Sequence, residues 1–377
     1  TDIDDKILRR AEENGEAFTR LTERMIQAMH EDEARLGVLP PTEEPRATAH
    51  IDDIIAMIRT LIQKGHAYVA DNGDVYFSVA SFPEYGKLSK KKLEDLVAGA
   101  RVDVQEAKRS PADFALWKAA KPGEVSWPSP WGEGRPGWHI ECSAMSHEHL
   151  GDKFDIHGGG VDLVFPHHEN EIAQSKCALG VDAFATYWMH NGYLMSEGEK
   201  MSKSLGNFYT VHELLEEFPG EAIRLLLLQT HYRQPLDFTK AGIAEARRTM
   251  DRWHRAADGV DPDGPVAQTV MDALADDLNT PKAIAELHQL STSDPVGFVA
   301  SAQLMGLFGQ SAEDWLKWQP PKSAGGLDDA AIDALIKERV QARQNKDFAT
   351  SDRIRDDLAA QGIVLEDGPA GTTWRSG

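Results

Sequence analysis

Phe154-Asp155-Ile156-His157-Gly158-Gly159-Gly160 is a short apolar strand that runs straight into three glycines. Glycine lets a backbone approach a ligand closely, and open α/β sheets take their ligands at the carboxyl ends of their strands. A glycine run alone is a weak signal, so the flanks decide. From about 138 to 195, short apolar strands alternate with helical segments, and Ala185–Met195 is aromatic and β-prone. This alternation predicts an α/β fold with an open parallel sheet.

Upstream, residues 4–30 read as one amphipathic helix, with Ile7, Leu8, Ala11, Phe18, Leu21, Met25 and Met29 at helical spacing and Asp4 and Asp5 near its start. A second helix covers about 50–64. Ala67–Ala70 and Val75–Phe77 flank Asp71-Asn72-Gly73-Asp74, which predicts a hairpin whose Asn-Gly pair makes a two-residue turn. Residues 82–137 are rich in Pro, Gly, Lys and Trp, show no clean period, and read as an insertion. Downstream, the chain turns helical to about 318. A Pro/Gly/Ser linker follows at 319–326, then a small unit of two helices and two strands, Ile363–Leu365 and Thr372–Trp374.

The 377 residues leave ample core for two or three domains. No apolar run approaches the roughly 18 residues of a membrane span, and no signal peptide opens the chain. Two cysteines, Cys142 and Cys177, fit a reducing compartment, so a cytoplasmic enzyme without disulfides is expected. A net charge of −21 argues against sequence-independent nucleic-acid binding, although local basic strips remain. These are Lys87 with Lys90-Lys91-Lys92, the Lys200–Lys203 stretch, and Lys337, Arg339, Arg343, Lys346, Arg353 and Arg355 near the end. Each also suits a solvated face.

Two further strings carry chemistry. Lys200-Met201-Ser202-Lys203-Ser204-Leu205-Gly206-Asn207 alternates lysines and serines before a Gly-Asn turn. Such a loop can bring two ammonium groups and several N–H donors onto a polyphosphate as charge develops on pyrophosphate. His167-His168-Glu169-Asn170-Glu171 follows Pro166, which favours a helix start, and places His167 and Glu171 at i and i+4. With Cys142 upstream they make a candidate Zn²⁺ site of thiolate, imidazole and carboxylate. The same residues also suit a surface pair and a buried small thiol.

Trp138–Met145, Asp155–Gln174 and Lys200–Asn207 together resemble the cysteinyl-tRNA synthetases, a family of class I aminoacyl-tRNA synthetases. The resemblance continues through Thr1–Lys6, Arg46-Ala47-Thr48, Asp71–Asp74, Ala100–Val104, Asp277–Pro281 and Asp367–Arg375, and so spans nearly the whole chain. It implies a Rossmann-like parallel sheet with a connective insertion, then a helical bundle and a small mixed α/β C-terminal domain. The implied divisions are 1–50 and 138–199 for the catalytic domain, 51–137 for the insertion, 200–245 for the signature loop and stem-contact region, 246–318 for the bundle and 327–377 for anticodon binding. It implies Mg-ATP, L-cysteine and tRNA(Cys) as substrates, and a monomer. One zinc per chain is implied, held by Cys142, His167 and Glu171 and completed in the family by a second cysteine; Cys177 does not match that place. Lys203, supported by Lys200, would contact pyrophosphate. Gly159, Gly160 and Asp162 would line the nucleotide side, Asp162 accepting from ribose hydroxyls. Trp138 and His157 would wall the amino-acid pocket and Thr1 would touch the substrate, although Trp138 by itself suits a core aromatic equally. Zinc would take the substrate as a thiolate and reject the near-isosteric serine.

The family's other signature, His-Ile-Gly-His, occurs nowhere in these residues. In the family it lies, with the second zinc cysteine, before the point matching Thr1, so the sequence reads as a piece of a longer protein. A protein beginning at Thr1 is accordingly expected not to adenylate cysteine, and normal cysteine-dependent ATP–pyrophosphate exchange would refute this. Two alternatives accompany the reading: a cysteine ligase of mycothiol synthesis with an amino sugar–inositol acceptor, and a non-catalytic tRNA-binding fragment. The C-terminal resemblance, ending in Gly371-Thr372-Thr373-Trp374-Arg375, favours tRNA over the first.

Overall fold

The structure is a computed structural model that describes residues 1–91, 107–201, 207–261, 263–320, 329–368 and 371–376. Lys92, Ala100–Val104, Ser202–Gly206 and the linker residues after Pro320 lie outside these. The chain divides into two compact units, Thr1–Gln27 with Pro41–Gly192, and Ala28–Pro40 with Tyr193–Gly377.

The single helix expected over 4–30 is two, Asp5–Asn14 and Phe18–Arg35. Asp4 caps the first by accepting from Lys6 N–H. Gly15 ends it in the left-handed region, with Gly15 and Glu16 N–H donating to the carbonyls of Glu12 and Ala11. The apolar spacing continues across this break, which is why periodicity alone missed it. The second expected helix is observed over Ile51–Gln63.

The first unit holds a four-stranded antiparallel sheet in sequence order, of β1 (Ala67–Val69), β2 (Val75–Phe77), β3 (Phe114–Ala119) and β4 (Gly134–Pro136). The β1–β2 hairpin is closed by three residues rather than two. Ala70 and Gly73 N–H donate to Asp74 and Ala70 carbonyls, and Gly73 alone takes a positive φ, 87°. Strands β3 and β4 lie in the stretch that had no sequence period. Their buried Leu116 and Trp117 share one core with Ile54, Ile58 and Leu61 of the Ile51–Gln63 helix, and with Ile140 and Ala173. Burying each such large apolar side chain contributes about 1.5–3 kcal/mol.

The helix Trp138–Leu150 leads into β5 (Phe154–Gly160), which pairs in parallel with β6 (Ala185–Asn191), His157 opposite Trp188. The helix Glu169–Leu179 makes the crossover between them, the unit that parallel pairing requires. A distorted turn, Val164–His168, precedes this helix, and Phe165 within it is extended at φ −138°, ψ 130°. The helix therefore starts at Glu169 rather than directly after Pro166.

In the second unit β7 (Leu194–Ser196) pairs antiparallel with β8 (Glu199–Lys200) and parallel with β9 (Leu236–Asp237). The helices Gly220–Leu228, Lys240–Ala257, Thr280–Ser293 and Pro295–Leu304 bury one core that includes Ile223, Met250, Leu287 and Phe298. The helices Asp329–Gln344 and Phe348–Ala360 pack a separate small core with β10 (Ile363–Gly368) and β11 (Gly371–Ser376). Among the described residues, no helix is long and apolar enough to cross a membrane.

Candidate active site and metal centre

A cavity of about 410 Å³ in the first unit gathers Trp138, His157 and the three expected metal ligands Cys142, His167 and Glu171. Trp138, Cys142, Met145 and His149 of the helix Trp138–Leu150 line one wall at i, i+4, i+7 and i+11. His157 and Gly158 at the end of β5 line a second. His167 and His168 from the distorted turn, and Glu171 from the first turn of its helix, line a third. Sequence-distant donors therefore converge because a strand end, a kinked turn and two helices meet there.

The tightest group of donor atoms is His157, His168 and Glu171, all within 4.8 Å of one another. His157 Nε2 lies 3.0 Å from Glu171 Oε2, yet that buried oxygen has no hydrogen bond of adequate geometry. His168 was quoted in the sequence string but given no role. Its Nδ1 lies 2.8 Å from His190 Nε2. His139, likewise unassigned, places Nδ1 2.9 Å from His167 Nδ1. Trp138 is 53% exposed and meets the His167 ring edge-on at 3.6 Å, so it is a pocket wall rather than a core aromatic.

Burial controls the charge states. It pushes His139 and His168 down to about 3, with neighbouring imidazoles adding to the effect, and it lowers His167. These rings are neutral at pH 7, the form that binds a metal. Burial likewise raises Glu171 against the opposing pull of His157. It pushes Cys142 up to about 12, with Glu171 and Glu141 adding to it. A buried thiol, a buried carboxyl and neutral imidazoles are a donor set that a divalent cation would bind with release of protons.

Other expected residues fall elsewhere. Gly159, Gly160 and Asp162 lie at and just past the end of β5, between the cavity residues Gly158 and Leu163. A Cβ on Gly159 would sit 2.9 Å from His168 Cε1, so this glycine is needed for close packing against that ring. Thr1 is not brought to this cavity. Its hydroxyl donates to Ile3 carbonyl at 2.9 Å, and it lines a separate cavity of about 400 Å³ with Lys6, Arg10 and Met25. Lys200 stands on β8 in the second unit, its ammonium 5.1 Å from the centroid of the Tyr193 ring. Lys203 lies outside the described residues.

The chain matches a model of the class I (C) tRNA synthetase catalytic domain over residues 1–248, a cysteinyl-tRNA ligase anticodon-binding domain over 326–375, and a DALR domain over 269–293. It is 57% identical to the cysteine–tRNA ligase of Alkalilimnicola ehrlichii and 59% identical to that of Marinobacter nauticus, over 100% of this chain and 85% of each relative. The chain belongs to the cysteine–tRNA ligase family. It is thus a class I aminoacyl-tRNA synthetase, an ATP-using ligase of the translation machinery. Mycobacterium tuberculosis methionyl-tRNA synthetase, solved with methionyl-adenylate, covers 86% of this chain and 84% of its own with a TM-score of 0.53. At 15% identity, that likeness concerns the fold alone.

Proposed function

We propose that this cysteine–tRNA ligase family member activates L-cysteine with ATP and passes the cysteinyl group to tRNA(Cys), with Zn²⁺ selecting the substrate by its thiol. The observation that carries the metal is the cavity in which Cys142, His157, His167, His168 and Glu171 converge, with donor atoms of His157, His168 and Glu171 within 4.8 Å of one another. Cys142, His167 and Glu171 are the ligands that the family resemblance names. The mutual approach of His157, His168 and Glu171 favours a second set sharing Glu171. When bound, the ion would hold the substrate sulfur as a thiolate, which a serine hydroxyl does not match.

The protein's own residues do the rest. Trp138 walls the pocket beside His167. Gly159 and Gly160, packed against His168 and Asp162, line the nucleotide side at the end of β5, and Asp162 accepts from the ribose. Lys200 and Lys203 meet the departing pyrophosphate. No protein nucleophile is required, because positioning and charge stabilisation supply most of the effect. Thr1 as a substrate contact requires a rearrangement from its bond to Ile3. The anticodon-binding match over 326–375 supports tRNA over an amino sugar–inositol acceptor. We place the protein in the cytoplasm as a monomer, with the divisions given above at residues 50, 137, 199, 245 and 318.

Calorimetry on zinc-loaded protein tests the selection directly. L-Cysteine should bind, and L-serine should bind at least 100-fold more weakly, an estimate in line with the roughly 10⁴ discrimination of sites that require a polar partner. Equal affinities would sink the proposal. Cobalt substitution separates the ligand sets. A near-ultraviolet sulfur-to-metal band that disappears in Cys142→Ser assigns Cys142, and its absence from the unsubstituted protein would favour the histidine-rich set.

A further inference from the structure

The helix bearing Glu171 is gripped by residues that lie outside the donor cavity. We propose that Tyr85 sets the rotation of the Glu169–Leu179 helix about its axis and is a positioning residue for the metal donors, an inference that rests on the metal reading above. Its hydroxyl donates to Asn170 Oδ1, one residue before Glu171. Ser89 N–H donates to Glu169 Oε2 at 2.8 Å. Lys176, further along the helix, pairs with Glu84. The Lys91 ammonium lies 4.1 Å from the centre of the Phe165 ring, at the turn that delivers His167 and His168.

Glu169 and Asn170 are each only 1% exposed, so their polar atoms depend on these partners. Successive residues of an α-helix are about 100° apart. Glu169, Ile172 and Lys176 therefore share one side, and they line a small cavity of about 140 Å³ with Phe82 and Leu88. Glu171, about 200° around from Glu169, faces the donor cavity instead. A rigid helix cannot turn on one side without turning on the other. Metal donors tolerate displacements of only about 0.5 Å. Losing the Tyr85 hydroxyl would leave Asn170 Oδ1 buried without a donor and let the helix start turn to satisfy it. Tyr85 itself does not line the donor cavity.

The test is Zn²⁺ affinity by chelator competition, with the visible spectrum of the Co²⁺-substituted protein, for wild type, Tyr85→Phe, Asn170→Ala and Ser89→Ala. Losing a group that orients a metal ligand costs about 10–100-fold in metal affinity. Tyr85→Phe and Asn170→Ala should fall in that range and shift the Co²⁺ bands. Ser89→Ala, whose contribution is a backbone N–H, should match wild type. Wild-type affinity and spectrum in Tyr85→Phe would overturn the inference. A loss no larger than that of Trp117→Phe, a buried change on the antiparallel sheet, would do so too. A wild-type protein that takes up neither ion overturns the metal reading and this inference together.

Discussion

Gly159 is the residue at which the two candidate ligand sets part company. A methyl group there would lie 2.9 Å from His168 Cε1 and 3.0 Å from its Nε2, so the ring must move. Gly159→Ala is expected to weaken Zn²⁺ binding about tenfold or more if His168 is a ligand. The effect should be small if Cys142, His167 and Glu171 hold the ion. Chelator competition distinguishes the two, and circular dichroism checks that the fold survives. At this scale the sequence was partly legible. The His-His-Glu-Asn-Glu string and Cys142 marked a donor-rich place, and both reach one cavity. His139 and His190 were not legible, because they arrive from separate elements and meet His167 and His168 only in the folded chain. Thr1 shows the opposite case, a residue with a role implied by resemblance that the fold places on another cavity.

Among the elements, the terminal hairpin β10–β11 is tied to the helix Asp329–Gln344 by few but strong contacts. Arg339 Nη1 and Nη2 donate to the two Asp367 oxygens at 2.9 and 3.0 Å, and Thr372 hydroxyl donates to the same carboxylate. The Arg339 guanidinium holds the Asp367 carboxyl well below the usual carboxylate range. A depressed folded value means that this contribution is present above the ordinary carboxyl range and is lost as pH falls through the folded value. Urea melts between pH 5 and 2 should show a loss of stability that Asp367→Asn flattens. Asp367→Ala should cost about 1–3 kcal/mol near neutrality, and salt should reduce the cost because Asp367 is half exposed. A variant as stable as wild type at both pH values would contradict this. Both helices and both strands of this unit were read from sequence, since local turn and apolar signals suffice there. The strands β3 and β4 were not, because their pairing is set by distant partners in a Pro- and Trp-rich stretch. The break at Gly15 escaped because the apolar spacing on either side stays in phase.

Across the whole molecule, the donor cavity and the second unit rest on separate cores. Metal binding should therefore stabilise one part of the chain and leave the rest unchanged. Free Zn²⁺ at 100 times its dissociation constant adds about 2.7 kcal/mol to whatever unit contains the site. Calorimetric scans should show one transition that rises with Zn²⁺ and another that does not. A single transition moving as a whole, or none moving, would count against independent units or against the metal.

The division of the chain also has a consequence for its synthesis. Ala28–Pro40 leaves the ribosome early, yet it belongs to the later unit. Arg35 donates to Leu215 carbonyl, and Arg224 donates to the carbonyls of Leu36 and Gly37. At about 5–20 residues per second, these partners arrive on the order of 10–40 s afterwards. That wait spans the synthesis of most of the first unit, so the segment stays without its own partners while residues 41–192 emerge. Val38 and Leu39, exposed even in the finished chain, add little burial of their own, so the arginine contacts hold the end of this segment in place.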